Sequence, residues 1–325
     1  MAREEQLIER ARRKFPSHAR SLRVGIGDDA AVMASPKGAE WVVTTDAFIE
    51  NVHFLRHAHP ARVVGYKALA RATSDIAAMG ARPKYFLLTL ALPPGCTGKW
   101  FDDFLDGMAG AARRFGLTLA GGDTTKYTAV LANLTVIGEM ETGRAVLRSG
   151  ARPGDLVCVS GKLGEAELGL RLIQRGLYKQ KRWKKLLAKQ YWPEPRLALG
   201  RWLVSHCCAT SMIDTSDGLS TDLGHLCDAS GVGAKLFAAK IPHVAVPSEL
   251  RASGLDPMRL ALHGGEDYEL LFTVPRRMIE RLPPKVAGVP ITPIGEITRG
   301  NGVVLIDARG RAKPLRPGGW EPFRQ

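Results

Sequence analysis

Aspartate is concentrated in a few short stretches of this 325-residue sequence, close to glycine, serine or threonine. Nine of the 16 aspartates fall in six segments, at 27–31, 44–46, 74–76, 121–125, 213–218 together with Asp222, and 264–268. A single aspartate of this kind commonly serves as a turn or N-cap residue. Six such segments need a further explanation, because turns do not require an acid beside paired glycines at the end of apolar stretches. We therefore interpret the segments as candidate cation-binding loops.

Carboxylates and hydroxyls beside glycines are suited to a hard cation and a phosphate. Mg²⁺ takes oxygen ligands in octahedral geometry and is usually held by a few carboxylates together with substrate phosphates. Thr44 and Thr45 add hydroxyl or carbonyl oxygens, and glycine lets the backbone approach a phosphate closely. The chemistry that this pattern indicates is metal-assisted phosphoryl transfer from a nucleotide.

Other nucleotide-binding and hydrolase signatures are absent or weak. The sequence contains no Walker loop, no protein-kinase catalytic loop, no nucleophile-elbow serine motif and no H-E-x-x-H zinc motif. Residues 25–30 satisfy G-x-G-x-x-A, but Asp28 and Asp29 inside that turn would repel a bare pyrophosphate. We therefore do not expect a dinucleotide site.

The charge balance is the unusual feature of the composition, because 46 Lys and Arg against 32 Asp and Glu give a net charge of +14. Such an excess fits either nucleic acid or strongly anionic substrates as ligands. The apolar content of 45% is typical of a globular protein, and the length favours two domains. The longest apolar stretch, 85–92, is far shorter than the roughly 20 residues that a membrane helix needs. We expect no membrane association.

The five cysteines, at positions 96, 158, 207, 208 and 227, form neither a metal-binding spacing nor a disulfide framework. Residues 1–5 carry charges of both signs, and no apolar signal-peptide region follows them. Both observations favour a cytoplasmic protein with reduced thiols.

Hydrophobic periodicity alternates between helix and strand along the whole chain. Apolar spacing predicts helices at 3–15, 61–79, 101–115 and 165–174, after Asp217, and near 276–282. Strands are predicted at 41–45, 85–92, 117–120, 129–138, 156–160, 234–237, 268–274, 291–297 and 303–306. Loop-forming residues at 149–155 mark a candidate boundary. The predicted fold class is therefore α/β of the α+β type, with domains at 1–148 and 149–325.

Seven motifs follow one another over about 300 residues, at 25–30, 74–81, 121–125, 148–155, 214–219, 264–270 and 319–323. In this order they resemble the motifs of the thiamine-monophosphate kinases. This family belongs to the ATP-binding superfamily that includes aminoimidazole ribonucleotide synthetase and selenophosphate synthetase. Each motif alone is a modest signal, whereas seven in register are a specific one.

The resemblance implies a fold and a reaction. The N-terminal domain is expected to be a mixed sheet with helices that pairs in a homodimer, with ATP near the interface. The C-terminal domain is expected to be an α/β sandwich-like domain that completes the nucleotide and substrate site. The implied reaction transfers the γ-phosphoryl group of ATP to thiamine monophosphate, with several Mg²⁺ ions bringing two polyanions together. The acceptor is an anionic phosphate oxygen, so we expect no general base and no covalent nucleophile.

The motif positions assign candidate roles to individual residues, as the resemblance implies them. The expected magnesium ligands are Asp29, Thr44, Thr45, Asp46, Asp75, Asp123, Asp214 and Asp217. The expected ATP contacts are Gly122, Asp123, Ser216 and the guanidinium fork of Arg148. The expected thiamine phosphate contacts are His53, Glu266 and Trp320. For Asp28 we expect a supporting hydrogen bond, and for Phe115 a place in the core rather than against the nucleotide.

Two alternative functions follow from other features. A different ATP-dependent synthetase of the superfamily would share the aspartate segments. However, a selenophosphate synthetase would carry a reactive cysteine near its N-terminus, and the first cysteine here is Cys96. A hydrogenase maturation relative would carry a C-terminal cysteine, and this chain ends with Gln325. The segment 171–201, with ten Lys or Arg, is a candidate for binding nucleic acid, although a solvated helical face explains its charge more simply.

Overall fold

The computed structural model describes residues 22–24, 28–35 and 38–323, and the helix predicted at 3–15 lies outside them. Six strands of the N-terminal half form one sheet: β1 (Leu22–Val24), β2 (Ala31–Ala34), β3 (Ala39–Ile49), β4 (Arg82–Leu92), β5 (Thr118–Lys126) and β6 (Leu131–Glu141). Their order across the sheet is β1-β2-β3-β6-β4-β5. Neighbouring strands run antiparallel except β4 and β5, which are parallel. The sheet is therefore mixed, as predicted.

Two helices, α1 (Ala61–Ala78) and α2 (Lys99–Phe115), pack together on one face of this sheet. A Cβ on Gly65 of α1 would lie 1.9 Å from the carbonyl oxygen of Phe104, and one on Gly107 of α2 would lie 1.9 Å from that of Arg62. Only glycine lets the two helix backbones approach so closely. Phe115 is 8% exposed in the core that these helices share with the sheet, which confirms its expected place.

The opposite face of this sheet, here called the outer face, is formed by the alternate residues of β3, β4 and β6 that point away from the helices. It includes Trp41, Val43, Thr45, Tyr85, Leu87, Asn133, Thr135 and Ile137. Tyr85 and Leu87 are 44% and 39% exposed, so apolar side chains of this face are open to solvent in the single chain. An exposed apolar patch of this kind is typical of a protein interface.

The C-terminal half forms a second sheet of mostly antiparallel strands. The strands are β7 (Leu156–Ser160), β8 (Ser211–Asp214), β9 (Gly233–Phe237), β10 (Leu270–Val274), β11 (Lys285–Val286), β12 (Val289–Thr298), β13 (Gly302–Ile306) and β14 (Ala312–Leu315). They pair in the order β14-β13-β9-β12-β7-β10-β8, with β11 beside β12, and β9 and β13 are parallel. β7 and β10 lie well inside the sheet and are buried along almost their whole length, which explains their continuous apolar sequences.

The helices of this half are α3 (Glu165–Gln174), α4 (Ala188–Tyr191), α5 (Leu197–Ser205), α6 (Leu219–Ser230), α7 (Ser248–Ala252) and α8 (Pro257–His263). α5 packs back on α1, because a Cβ on Gly200 would lie 2.1 Å from the carbonyl oxygen of Ala77. α1 is therefore held between the two halves. The boundary expected between residues 148 and 149 falls in the connection 142–155 between the sheets. In the described part of the chain, no helix is long and apolar enough to cross a bilayer.

Most of the predicted elements are confirmed, although β8, α5, α7 and α8 were not predicted. Three predicted elements differ in extent or type. β3 continues past Asp46 to Ile49, because these residues remain paired with β6. β5 runs through Gly121, Gly122 and Asp123, which the sequence predicts as a loop. An edge strand tolerates glycine, and β4 supplies the hydrogen-bond partners. The segment predicted as a helix near 276–282 forms a 3₁₀ helix instead (Arg276–Arg281).

Candidate active site

Three aspartates from distant parts of the chain meet between the two halves. Asp29 precedes β2, Asp75 lies in the last turn of α1, and Asp214 ends β8. One carboxylate oxygen of each lies within 4.8 Å of the other two. Two hydroxyls orient the group, because Thr44 Oγ1 donates to Asp75 Oδ2 at 2.6 Å and Ser74 Oγ donates to Asp214 Oδ2 at 2.5 Å. Asp29, Asp75 and Asp214 are here called the carboxylate cluster.

The carboxylate cluster concentrates negative charge in a buried place. Asp29 and Asp214 are 8% and 2% exposed. Burial, together with neighbouring carboxylates, raises the pKa of Asp214 to about 7 and that of Asp75 well above its usual range. Like charges this close repel unless a proton or a cation lies between them. Three hard oxygen donors in this arrangement fit Mg²⁺, which is commonly held by a few carboxylates and completes its shell with water and phosphate.

Arg148 ties this site to the connection between the two sheets. Its guanidinium binds Asp29 twice, from Nη2 to Oδ1 at 2.8 Å and from Nε to Oδ2 at 3.1 Å. Its backbone N–H donates to Asp28 Oδ2 at 3.2 Å, and Asp28 Oδ1 accepts the N–H of Asp29 at 2.9 Å. Asp28 thus has the supporting hydrogen bonds that were expected. The fork of Arg148, which we expect on a phosphate, is engaged with Asp29 in this structure.

Asp46 lies on the same face of β3 as Thr44 and pairs with Arg71 of α1. Nη2 of Arg71 donates to Asp46 Oδ1 at 3.2 Å, and the arginine side chain is 12% exposed. Burial raises the pKa of Asp46, and the charge of Arg71 opposes that change. Arg71 is not among the residues expected at the site, although a charged residue in the apolar stretch of a predicted helix is the signal that marks it.

An aromatic wall formed by Phe48, His53 and Trp320 lies near Arg71. The rings of Phe48 and His53 stack with centroids 5.8 Å apart, and Trp320 lies 6.3 Å from His53. His53 Nδ1 accepts the backbone N–H of Ile49 at 3.0 Å. Burial and the charge of Arg71 lower the pKa of His53 to about 4, so the ring is neutral near pH 7 and carries its proton on Nε2.

The segment that carries Trp320 crosses the loop after β8. The backbone N–H of Trp320 donates to the carbonyl oxygen of Asp217 at 2.9 Å. A Cβ on Gly319 would lie 2.0 Å from the same oxygen, so only glycine permits the crossing. Ser216 of this loop accepts the backbone N–H of Glu266 at 2.8 Å. The loop therefore brings residues with three expected roles together. Ser216 is expected to contact ATP and Asp217 to bind the metal, and Glu266 and Trp320 are expected to contact the substrate.

Glu266 is held by two residues that were not among those expected at the site. Lys67, which is fully buried on α1, donates from Nζ to Glu266 Oε2 at 2.8 Å. Gln190 of α4 donates from Nε2 to the same oxygen at 2.9 Å, and its own carbonyl oxygen accepts from Lys67. Burial opposes the charge on Glu266, but Lys67 and Arg71 lower its pKa to about 2. Its φ of 65° is uncommon outside glycine, so the surrounding contacts must hold this backbone in place.

Thr45, Gly122 and Asp123 do not reach the carboxylate cluster within one chain. Thr45 points to the outer face, where its hydroxyl accepts from Asn133 Nδ2 at 3.0 Å. Asp123 of β5 is paired in register with Thr89 and shares that face. β5 lies three strands from β3, which is about 14 Å at the usual strand spacing. The expected roles of these residues at the metal and at ATP stay predictions.

The sequence favours a solvated helical face for the basic segment 171–201, but only part of the segment is solvated. Trp183 and Leu187 are buried in a small core that they share with α3. Lys189 and Arg196 point inward to the buried Glu269, with Lys189 Nζ 2.6 Å from Oε1 and Arg196 Nε 2.6 Å from Oε2. The segment is therefore part of the fold beside the site, and Gln190 is its contact with Glu266.

This arrangement of two sheets with their helices, and with aspartates clustered between them, has relatives among known proteins. Residues 27–140 match the family model of the AIR synthase related protein, N-terminal domain. This match covers β2 to β6 of the first sheet and places that half of the chain in the AIR synthase related class.

Relatives over most of the chain narrow the assignment. The chain is 37% identical to thiamine-monophosphate kinase of Bacillus subtilis (strain 168) over 286 residues, which are 86% of this chain and 87% of that protein. It is 37% identical to the Escherichia coli (strain K12) enzyme of the same name over 302 residues, 91% and 90% of the two chains. The solved structure of AaThiL complexed with AMPPCP and TMP matches with a TM-score of 0.85 and 33% identity, over 99% of this chain and 97% of that one. The chain belongs to the thiamine-monophosphate kinase family.

Proposed function

We propose that this protein transfers the γ-phosphoryl group of ATP to thiamine monophosphate and releases thiamine diphosphate and ADP. The observation that carries the proposal is the position of the carboxylate cluster, with the aromatic wall and the fixed carboxylate of Glu266 near it. The cluster suits a polyphosphate with its cations, and Glu266 with the wall suits a cationic aromatic ligand. The names of the relatives and the solved complex with AMPPCP and TMP support the same reaction.

The carboxylate cluster is the proposed place for Mg²⁺. Asp29, Asp75 and Asp214 supply three carboxylates. We assign Asp46 and Asp217 as further donors for more than one ion. Bound there, the ions would neutralise the charge of both phosphate chains and hold donor and acceptor in line. The raised pKa values of Asp75 and Asp214 support this assignment, because the buried carboxylates favour a compensating positive charge.

The residues of the chain act by positioning rather than by acid–base chemistry. The acceptor oxygen is already anionic near neutral pH, so no side chain has to remove a proton from it. Thr44 and Ser74 hold Asp75 and Asp214 by hydrogen bonds, so the oxygens of the cluster are placed before substrates bind. Arg148 is fixed on Asp29 at the edge of the cluster, and we assign it to ATP together with Ser216.

Glu266, His53 and Trp320 are the proposed contacts to thiamine phosphate. Thiamine carries a positive charge on its thiazolium ring and an amino group on its pyrimidine ring. The carboxylate of Glu266, fixed by Lys67 and Gln190, complements that charge or accepts from the amino group. Trp320 is 48% exposed and offers a ring for stacking, and neutral His53 offers Nε2–H as a donor.

The proposal includes a homodimer in which the outer faces of two N-terminal sheets pack together. The exposed apolar side chains of Tyr85 and Leu87 support this pairing. The position of Asp123 supports it too, because this residue is far from the cluster of its own chain but shares the outer face with Thr45. A two-fold pairing of these faces allows Asp123 of the partner subunit to complete the metal and ATP site.

The environment of the protein is proposed to be the cytoplasm. All five cysteines, each among the described residues, are unpaired, which agrees with a reducing compartment. The basic segment gives little support to a nucleic-acid ligand, because Lys189 and Arg196 are paired with Glu269.

A direct assay tests the proposed function. The purified protein is incubated with thiamine monophosphate, ATP and Mg²⁺, and thiamine diphosphate is separated by chromatography and detected by its fluorescence after oxidation. We expect product only when all three components are present, and none when thiamine replaces thiamine monophosphate. Folded protein that forms no thiamine diphosphate under these conditions would overturn the proposal.

A further inference from the structure

Arg71 has buried guanidinium nitrogens that lack hydrogen-bond acceptors. No other charged side chain among the described residues has such buried atoms. The side chain of Arg71 is 12% exposed, and its Nε and Nη1 make no hydrogen bond. The other buried side-chain nitrogens without a partner in the described ranges are His59 Nε2 and Trp183 Nε1, which belong to uncharged rings near pH 7. Burying a charged donor without an acceptor is strongly unfavourable, so the geometry indicates a missing anionic ligand.

Asp46 satisfies only part of the guanidinium of Arg71. Nη2 donates to Asp46 Oδ1 at 3.2 Å. Nε lies 3.2 Å from Asp46 Oδ2, an ion-pair distance at which the N–H does not point at the oxygen. Asp46 therefore lies against the Nε–Nη2 side of the guanidinium, and the two N–H groups of Nη1 at its far end have no acceptor.

Arg71 lies between the two ends of the proposed site. Lys67, one turn earlier on α1, fixes Glu266, and Asp75, one turn later, belongs to the carboxylate cluster. Residues four apart share one face of a helix, so the three side chains follow one another along the site. The guanidinium also lies 5.0 Å from the ring centre of Phe48, in the aromatic wall. A ligand that extends from Glu266 to the cluster must pass Arg71.

We propose that Arg71 binds the phosphate group of the acceptor substrate through Nη1 and the second N–H of Nη2, which lie side by side at the end of the guanidinium. This proposal rests on the proposed function, because it takes a thiamine phosphate as the ligand of the site. The planar guanidinium matches two phosphate oxygens with two parallel N–H groups. Arg71, Lys67 and Arg148 each have a carboxylate partner, but only Arg71 among these three cations has buried nitrogen atoms without a hydrogen-bond acceptor. Arg71 is therefore the residue that distinguishes phosphorylated from unphosphorylated thiamine.

Binding measurements on matched variants test this assignment. The dissociation constants of thiamine monophosphate and of thiamine are measured by calorimetry, in Mg²⁺ buffer, for the wild type, Arg71→Ala and Arg71→Lys. Arg62→Ala is the control, because Arg62 lies on the same helix in an exposed ion pair with Asp106. We expect Arg71→Ala to weaken thiamine monophosphate by about tenfold or more, since a hydrogen bond to a charged group is lost. Thiamine binding is expected to change by no more than about twofold, and Arg71→Lys to recover part of the loss.

Several results would overturn the assignment. One is an equal loss of thiamine and thiamine monophosphate in Arg71→Ala, and another is no loss of either. A third is that Arg71→Ala changes the Mg²⁺ concentration needed for half-maximal activity, while the ratio of the dissociation constants of thiamine and thiamine monophosphate stays the same. That result would assign Arg71 to holding Asp46 instead. Thermal unfolding checks that each variant is folded, and Arg71→Gln replaces any variant that is not.

Failure of the proposed function is recognised separately, because wild-type protein then forms no thiamine diphosphate. In that case the probes are inorganic phosphate and pyrophosphate, titrated into wild type and Arg71→Ala without a divalent cation. Weaker binding of these anions by Arg71→Ala than by wild type would support Arg71 as an anion-binding residue. Equal binding by both proteins, or binding by neither, would overturn the inference.

Discussion

The hydroxyl of Ser74 donates a hydrogen bond of 2.5 Å to the buried carboxylate of Asp214, 140 positions further along the chain. Ser74 lies on α1 of the N-terminal half, and Asp214 ends β8 in the C-terminal half. The neighbour of Ser74, Asp75, is itself part of the carboxylate cluster. The position of the two halves relative to each other therefore fixes the spacing of the cluster oxygens, and any change in that position alters the site.

The first prediction concerns the carboxylate cluster. We expect Asp75→Asn and Asp214→Asn to lower turnover by roughly 100- to 1000-fold, because each removes a charge that would hold the cation in the reacting complex. The melting temperature in metal-free buffer should stay the same or rise, because each substitution removes repulsion between buried carboxylates. Steady-state kinetics and thermal unfolding check both points. Asp106→Asn, at an exposed position, is the matched control, and wild-type turnover in both cluster variants would show that the cluster is not the metal site.

A second prediction concerns the two metal positions that lie outside the cluster in this structure. Asp46→Asn and Asp123→Asn should each lose turnover by orders of magnitude and remain folded, since both side chains are proposed to act on bound ions. Circular dichroism and the fluorescence assay for thiamine diphosphate measure the two properties. Activity retained in both variants would mean that the set of metal ligands is assigned wrongly.

Mixing two inactive variants tests whether the partner subunit completes each site. If Asp123 acts across the dimer, a mixed dimer of Asp75→Asn and Asp123→Asn contains one site with both aspartates intact. Equal amounts, allowed to exchange subunits, should recover about a quarter of wild-type activity, because half of the dimers are mixed and each has one working site. Native mass spectrometry confirms that mixed dimers form. Their presence without any recovered activity would place Asp123 in the site of its own chain.

The network around Glu266 gives a prediction for substrate affinity. Gln190→Ala removes a hydrogen bond of 2.9 Å to the Glu266 carboxylate and should raise the KM for thiamine monophosphate by roughly tenfold. The KM for ATP should not change, because the substitution lies at the thiamine end of the site. Gln174→Ala, on an exposed side chain of α3, is the control. A parallel rise in both KM values would indicate a general disturbance of the fold instead.

Buried carboxylates predict how stability depends on pH. Burial raises the pKa of Asp28 to about 6 and the pKa values of Asp214 and Asp267 to about 7. The folded, metal-free protein therefore binds more protons than the unfolded chain from about pH 4 to about pH 7, and its free energy of unfolding falls as the pH rises through this range. With a chelator present, the melting temperature should drop by about 5 °C or more between pH 5 and pH 8. A melting temperature that rises with pH would contradict the assigned pKa directions.

A variant separates the metal site from the other buried acids. Asp267 accepts the backbone N–H groups of Gly164 and Ala166 at the start of α3 and is not a proposed metal ligand. Asp267→Asn should flatten the pH dependence and leave the stabilisation by Mg²⁺ at pH 8 unchanged. Asp214→Asn should flatten the pH dependence and reduce that stabilisation. The same response to Mg²⁺ in both variants would argue against a cation at Asp214.

Sequence patterns predict the two sheets well where burial is uniform along an element. The spans predicted at 156–160 and 165–174 agree with β7 and α3 to the residue, because continuous or periodic apolar residues end at clear glycine or polar signals. β5 was not predicted in full, since glycines 121 and 122 indicate a loop, whereas pairing with β4 decides the structure. Tertiary contacts override local preference at such an edge strand.

Some residues of the candidate site can likewise be predicted from the sequence, and others cannot. Motifs point to Asp29, Asp75 and Asp214, whose local patterns of acid and small residues are visible in the sequence. The partners of Glu266 are harder to find, because Lys67 and Gln190 lie 199 and 76 positions from it. Lys67, like Arg71, is a charged residue in an apolar stretch, but nothing in that pattern links it to Glu266. Nothing near Gln190 marks it, and it is found only once the fold brings α4 beside α1.

α1 also sets a fixed distance between the two ends of the proposed ligand site. Lys67 and Asp75 are eight residues apart on this helix, which is about 12 Å at the usual rise per residue. The helix is packed between α2 and α5 and contains no proline, so this length does not adjust to the molecule that binds. A thiamine analogue with a side chain one or two carbon atoms longer would still fit Glu266 at one end. Its phosphate would then not be aligned with the γ-phosphate of ATP. The protein would therefore bind the analogue but phosphorylate it slowly.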